Sequence, residues 1–312
     1  MPVVLITGGT GLIGKSLTTQ LIAKGYEVII VSRTPPLSSD NSMVTYAAWD
    51  IAEKKMDGNA IARADYIVNL AGAGVMDKSW SKKYKTEIVE SRVKSSELLI
   101  DALQTTPNKV KAIISASAIG WYGEDSKTLK DKYGFAETDP ADDAFLGETC
   151  RLWEESIDPV TKLYKRLVKL RIGIVLSNDG GALAEFKKPL HFGIAGIPGS
   201  GKQVISWIHI DDLCRMFIYA IENDQLSGSY NAVAPSPISN KKLILKLGQK
   251  MRGQFYIPVH VPQFILKLML GQRSTEILKS ATVSCEKIKA TGYTFLYPTI
   301  DTALNQLAGK KS

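Results

Sequence analysis

Nowhere does the chain carry a run of about 18 consecutive apolar residues, so a membrane-crossing helix is not expected. Cysteine is scarce: Cys150, Cys214 and Cys285 are far apart and make no C-x-x-C or Cys/His spacing. That excludes a disulfide framework and gives no metal signal, and an odd, sparse count suits reduced thiols in a cytoplasmic compartment. Internal repeats and low-complexity tracts are missing as well. The opening Met1-Pro2-Val3-Val4-Leu5-Ile6 has no basic stretch ahead of its apolar residues, so a first β-strand is expected there and not a signal peptide.

Acidic residues are in the minority, 31 against 39 Lys and Arg, which leaves a net charge of +8 over 312 residues. Such a balance can serve nucleic acid, an anionic surface or a phosphorylated ligand. The lysines are dispersed, however, at 78, 82, 83 and 85, at 241, 242, 246 and 250, and at 310 and 311. Spacings of three and four describe solvated helix faces. Basic–aromatic interleaving is absent, so neither nucleic acid nor membrane is the expected partner.

What is abundant is apolar alternation. Val3–Thr7, Glu27–Ser32, Thr45–Trp49, Tyr66–Leu70, Ala112–Ser117 and Leu167–Val175 are Val- and Ile-rich runs of strand length. Leu12–Lys24, Trp80–Gln104 and Thr149–Leu163 have helical periodicity between them. A further helix start is suggested at Phe145-Leu146-Gly147-Glu148-Thr149-Cys150. The order predicts an α/β fold, a Rossmann-type doubly wound parallel sheet with helices on both faces. After Leu176 the glycine- and proline-rich segments 179–181, 193–201 and 235–237 change the character. We expect residues 1–178 and 204–227 to form a nucleotide domain, and 179–203 and 228–312 a smaller substrate-binding lobe.

Thr7-Gly8-Gly9-Thr10-Gly11-Leu12-Ile13-Gly14 stands between the first strand and first helix, the context a dinucleotide loop requires. Glycines there permit a tight turn and bring helix-terminal amides up to a pyrophosphate. The second strand ends Ser32-Arg33 where an NAD site places a carboxylate for the ribose 2′-hydroxyl. A guanidinium suits a 2′-phosphate instead, so NADP(H) is the expected cofactor.

With that loop, Val68-Asn69-Leu70-Ala71-Gly72, Ser115-Ala116-Ser117-Ala118-Ile119-Gly120-Trp121-Tyr122-Gly123, Trp207-Ile208-His209-Ile210-Asp211-Asp212 and a tail ending Thr291-Gly292-Tyr293-Thr294-Phe295, the chain resembles the extended short-chain dehydrogenase/reductases. Within them it is similar to the branch labelled sugar-nucleotide-epimerase-like or cell-division-inhibitor-like. The resemblance implies cofactor contacts from Gly8, Gly11, Leu12, Ile13 and Gly14. It also implies Asp50 near the adenine, Leu70, Ala71 and Gly72 near the ribose, and Ser117 as the catalytic hydroxyl. Arg92 falls where many members have a cofactor-supporting Asn.

The chemistry that this resemblance implies rests on Tyr-x-x-x-Lys, in which the lysine helps a phenol of pKa about 10 exchange a proton near neutrality. None of the twelve tyrosines is followed four residues later by Lys. Phe145 or Leu146 falls at the tyrosine position, and Thr149 or Cys150 at the lysine position. Relocated proton transfer would fall first to Tyr122, with Cys150, Glu148 and His209 behind it. Trp207 and the Gly193–Gly201 loop are expected to wall a pocket for a small polar substrate. Non-catalytic NADP(H) binding is the competing expectation. A homodimer is left open.

Overall fold

The computed structural model describes residues 1–36, 38–125 and 134–308; Lys310 and Lys311 lie outside them. Along the chain run β1 (Val3–Thr7), α1 (Leu12–Ala23), β2 (Glu27–Ser32), β3 (Val44–Asp50), β4 (Lys55–Met56), α2 (Gly58–Arg63), β5 (Tyr66–Asn69), α3 (Lys82–Thr105), β6 (Ala112–Ala118) and α4 (Phe145–Ile157). Then come β7 (Arg166–Ile172), β8 (Ile174–Ser177), α5 (Gly181–His191), β9 (Ile194–Pro198), β10 (Val204–Ile205), β11 (Trp207–His209), α6 (Ile210–Glu222) and β12 (Gly228–Ala232). The C-terminal part supplies β13 (Ile238–Ser239), α7 (Asn240–Arg252), β14 (Ile257–Val261), α8 (Gln263–Leu270), α9 (Ser274–Leu278), α10 (Glu286–Ala290) and α11 (Ile300–Ala308).

Eight strands form one sheet in the order β12-β7-β6-β5-β1-β2-β3-β4. All pairings are parallel except that of the short edge strand β4. Side chains alternate across it, so β1 sends Val4 and Ile6 to one face and Val3 and Leu5 to the other. The first pair packs with Leu17 and Leu21 of α1 and Leu213 and Phe217 of α6. The second packs with Ile61 of α2 and Leu98, Leu99 and Leu103 of α3. Both faces being covered is why these strands are continuously apolar, and each fully buried Leu or Ile contributes roughly 1.5–3 kcal/mol. Chain order reverses direction at β1, whose neighbours are β2 and β5. A crevice therefore opens beyond the carboxyl ends of these strands, where ligands of open α/β sheets bind.

The structure departs from expectation at three places. The run Leu167–Val175 is broken at Gly173, where a Cβ would lie 2.7 Å from the Ser206 carbonyl oxygen and 2.8 Å from Val233. The chain there leaves the main sheet, and β8 pairs with β11 instead. The segment Gly193–Gly201, expected as a loop, contains β9, which pairs in parallel with β14 and buries Ala195 and Ile197 in a third core with Leu183, Leu243 and Leu247. β12, in the stretch expected to belong to the smaller lobe, is the edge strand of the main sheet.

Candidate cofactor cleft

The glycine loop is tied to the crevice by contacts that only glycine permits. Gly8 has φ +68°, and a Cβ there would sit 2.8 Å from the Leu70 carbonyl. A Cβ at Gly14 would lie 2.5 Å from Gly9 Cα, so α1 starts directly against the loop. Gly11 caps α1 without a side-chain acceptor, unlike Ser81 and Asp57, which cap α3 and α2. The first-turn amides, including those of Leu12, Ile13 and Gly14, are thus not capped by a side chain and can meet an anion. Thr7 Oγ1 donates to Asn69 Oδ1 (2.7 Å) and accepts from the amides of Leu70 and Ala71. Asn69 in turn reaches the hydroxyls of Ser96 and Ser115. This buried polar zipper sets the loop Leu70-Ala71-Gly72 beside the glycine loop.

On the far side of β1, Arg33 and Asp50 line a cleft of about 640 Å³ with Trp49, Lys54, Glu87 and Ser91. Asp50 Oδ1 accepts from the amides of Ala52 and Glu53, which fixes the turn after β3. Ser32 Oγ accepts from the Thr34 amide, and this turns the chain so that exposed Arg33 follows the strand end. A cofactor laid along the crevice fits these residues: a glycine cradle that a Cβ would fill, uncapped amides and a cation at the end of β2.

At the other end of the crevice, of the alternatives on α4, Leu146 and Cys150 are the pair that packs on Gly120. A Cβ at Gly120 would lie 3.3 Å from Leu146 Cβ and 3.5 Å from Cys150 Sγ, so this pair faces the turn after β6. Thr149 instead donates its hydroxyl to the Phe145 carbonyl (2.6 Å). Burial pushes the Cys150 thiol up to about 12, although the charge of Arg92 works against it. It is a neutral side chain at physiological pH and no candidate for proton exchange.

Tertiary packing decides the surroundings of the other candidates. Tyr122 is fully buried; its hydroxyl donates to Asn231 Oδ1 (2.7 Å) and accepts from Arg171 (3.0 Å). Burial raises its pKa to about 12 against the pull of Arg171, so it does not supply an exchangeable proton. Ser117 does stand near the carboxyl end of β6, but its hydroxyl is spent on Glu154 Oε1 (2.8 Å). Trp207 lies fully buried in the third core with its indole donating to the Ser236 carbonyl. Glu148 forms a surface ion pair with Arg151, whose hydrogen bond holds the carboxyl below its usual range. His209 caps α6, its Nδ1 accepting from the Asp211 amide, and its other nitrogen meets Gln306.

Sequence reasoning missed the ion pair beneath this end. Glu154 receives two hydrogen bonds from Arg171, at 2.7 and 3.0 Å, with both side chains 4% exposed. Burial alone would raise the Glu154 pKa, but Arg171, the Ser117 hydroxyl and Lys169 outweigh it and hold the carboxylate ionised. The signal was an arginine inside the apolar run Leu167–Val175. Also missed was Glu276 of α9, within electrostatic range of Lys279 and Asp142. Asp142 abuts Gly147, where a Cβ would meet its carbonyl, so it stands at the start of α4. Lys279 donates to the Tyr122 carbonyl (2.6 Å). Burial, then Asp142, push Glu276 up toward its neutral acid form against the pull of Lys279.

A twisted parallel sheet with a glycine loop at its reversal point and a C-terminal module beside the strand ends defines a Rossmann-type nucleotide-binding protein of the extended short-chain dehydrogenase/reductase class. The chain belongs to the epimerase family. Residues 4–142 match the model of the NAD dependent epimerase/dehydratase family, and residues 261–307 match a domain of unknown function, DUF1731. Epimerase family protein SSP1921 of Staphylococcus saprophyticus is 36% identical over 306 residues, covering 97% of this chain and 98% of that protein. Among solved structures, human epimerase family protein SDR39U1 with NADPH superposes with a TM-score of 0.84 at 29% identity, covering 98% of this chain and 99% of that one. The nucleoside-diphosphate sugar epimerase of Corynebacterium glutamicum gives 0.76 at 31% identity, covering 99% of this chain and 59% of the other.

Proposed function

We propose that the protein is an NADP(H)-dependent oxidoreductase of epimerase-like type, acting on a small polar carbonyl or hydroxyl compound, a nucleotide sugar included. The observation that carries the cofactor choice is Arg33 at the end of β2, lining the cleft where an NAD site would have a carboxylate. NADPH in the human relative agrees with it. Reduced nicotinamide would supply a hydride to a carbonyl carbon. The proton for the carbonyl oxygen cannot come from Leu146, from the neutral thiol of Cys150 or from the locked phenol of Tyr122. Our candidate donor is Glu276, whose carboxyl is shifted toward the protonated form by burial and lies 3.9 Å from Lys279, the residue that holds the Tyr122 carbonyl after β6. The C-terminal lobe would thus contribute the proton.

Non-catalytic NADP(H) binding is the second reading, favoured by the apolar pair Leu146 and Cys150. NADPH oxidation by the purified protein against a panel of aldehydes, ketones and nucleotide sugars separates the two. Turnover abolished in Glu276→Gln supports the oxidoreductase. Tight NADPH binding without turnover on any panel member supports the binder.

A further inference from the structure

Where a lysine is missing from α4, a cation approaches from α3. Arg92 is packed against the loop after β5 so closely that a Cβ at Gly72 would lie 3.0 Å from its Cζ. Its Nη1 donates to the carbonyls of Ala73 (3.0 Å) and Ile88 (2.8 Å), and its guanidinium lies over the Trp153 ring, 4.9 Å from Cζ to centroid. Ser91 beside it accepts from the Ala73 amide (2.9 Å), so adjacent residues of one helix turn clamp the loop. Three fixed contacts leave the guanidinium little freedom.

What it lacks is a counter-charge. Among the described residues no carboxylate pairs with it, and the groups that act on it electrostatically are Cys150 and Tyr84, both neutral. Its Nε and Nη2 donate to no described protein acceptor, yet neither is a sealed, unsatisfied atom. The free donors of this half-buried guanidinium can take oxygen atoms from a ligand.

We propose that Arg92 holds the nicotinamide-side ribose hydroxyls of bound NADP(H), doing from α3 what a cation on α4 would otherwise do. The planar fork matches two neighbouring hydroxyl oxygens, which an ammonium would meet singly. This inference rests on NADP(H) occupying the crevice.

Isothermal titration of wild type, Arg92→Met and Arg92→Lys with three ligands tests it. NADPH and 2′-phospho-ADP-ribose both carry the second ribose, whereas 2′,5′-ADP stops short of it. Arg92→Met should weaken the first two about tenfold to a hundredfold, Arg92→Lys should weaken them less, and 2′,5′-ADP should change less than twofold. Unchanged NADPH affinity in either variant overturns the assignment. So does an equal loss of all three ligands in folded Arg92→Lys, which would make Arg92 a scaffold residue only. If wild type itself binds none of the three, the cofactor reading fails first, and that outcome is distinct from the other two.

Discussion

Replacing Glu154 by Ala removes the carboxylate and leaves Arg171 buried. The guanidinium would keep the Tyr122 hydroxyl and the Glu137 carbonyl as acceptors and the Trp121 ring 3.6 Å from Cζ, but no counter-charge in direct contact. Stripping one partner from a buried ion pair costs about 3–5 kcal/mol. With a urea m-value of about 3 kcal/mol/M for a chain of this size, the unfolding midpoint should fall by roughly 1 to 1.7 M at pH 7. Glu154→Leu combined with Arg171→Met, which removes both charges, should recover most of that loss. The pH dependence has a definite sign. Glu154 titrates below its ordinary 4.5 in the folded protein, so its contribution is fully present above that value and is lost as pH falls through the lower folded pKa. The gap between wild type and Glu154→Ala should therefore narrow on acidification. A midpoint shift below about 0.3 M at pH 7, equivalent to about 1 kcal/mol, would refute the buried pair.

Three other outcomes are expected. The thiols Cys150, Cys214 and Cys285 are all buried, with pKa values pushed up by burial to about 12, 12 and 11, so a thiol-specific dye should label none of them quickly in the folded protein and all three in urea. Rapid labelling of native Cys150 would mean an open, reactive thiol in the cleft. Gly14→Ala should abolish NADPH binding by forcing the glycine loop open, whereas Gly25→Ala, at φ +83° with nothing within 4 Å, should cost about 1–2 kcal/mol of stability and leave binding intact. Because folding raises the Glu276 pKa, stability should fall as pH rises from 4.5 through the folded value; Glu276→Gln should then be more stable than wild type above that window and equal to it below, as measured by urea midpoints at pH 4 and pH 8.

Strands β1, β2, β3, β5, β6 and β7 and the glycine loop were legible because buried parallel strands are apolar throughout and a dinucleotide turn needs glycine at fixed places; the two-residue edge strand β4 was not. The break at Gly173 was not, since it is set by the Ser206 carbonyl and Val233, far away in sequence. Tyr122 and Trp207 were misjudged for a related reason. Each sits beside a recognisable motif, and only tertiary packing decides whether such a large amphipathic side chain meets ligand or core. Arg171 announced a buried partner without naming it, as Glu154 looks like any helix-face glutamate. Glu276 carried no local signal at all: its surroundings are assembled by α9, Lys279 and the start of α4. The missing Tyr-x-x-x-Lys was plain in the sequence, but not that Leu146 and Cys150 are the residues facing Gly120.

The central claim is NADP(H) binding in the crevice with Arg33 at the 2′-phosphate, and titration of wild type and Arg33→Ala with NADPH and NADH tests it most directly. Wild type should bind NADPH at micromolar levels and well ahead of NADH. Arg33→Ala should lose about tenfold on NADPH, the worth of a charge-assisted contact, and leave NADH unchanged. No NADPH binding, or a preference that survives the loss of Arg33, would contradict the account.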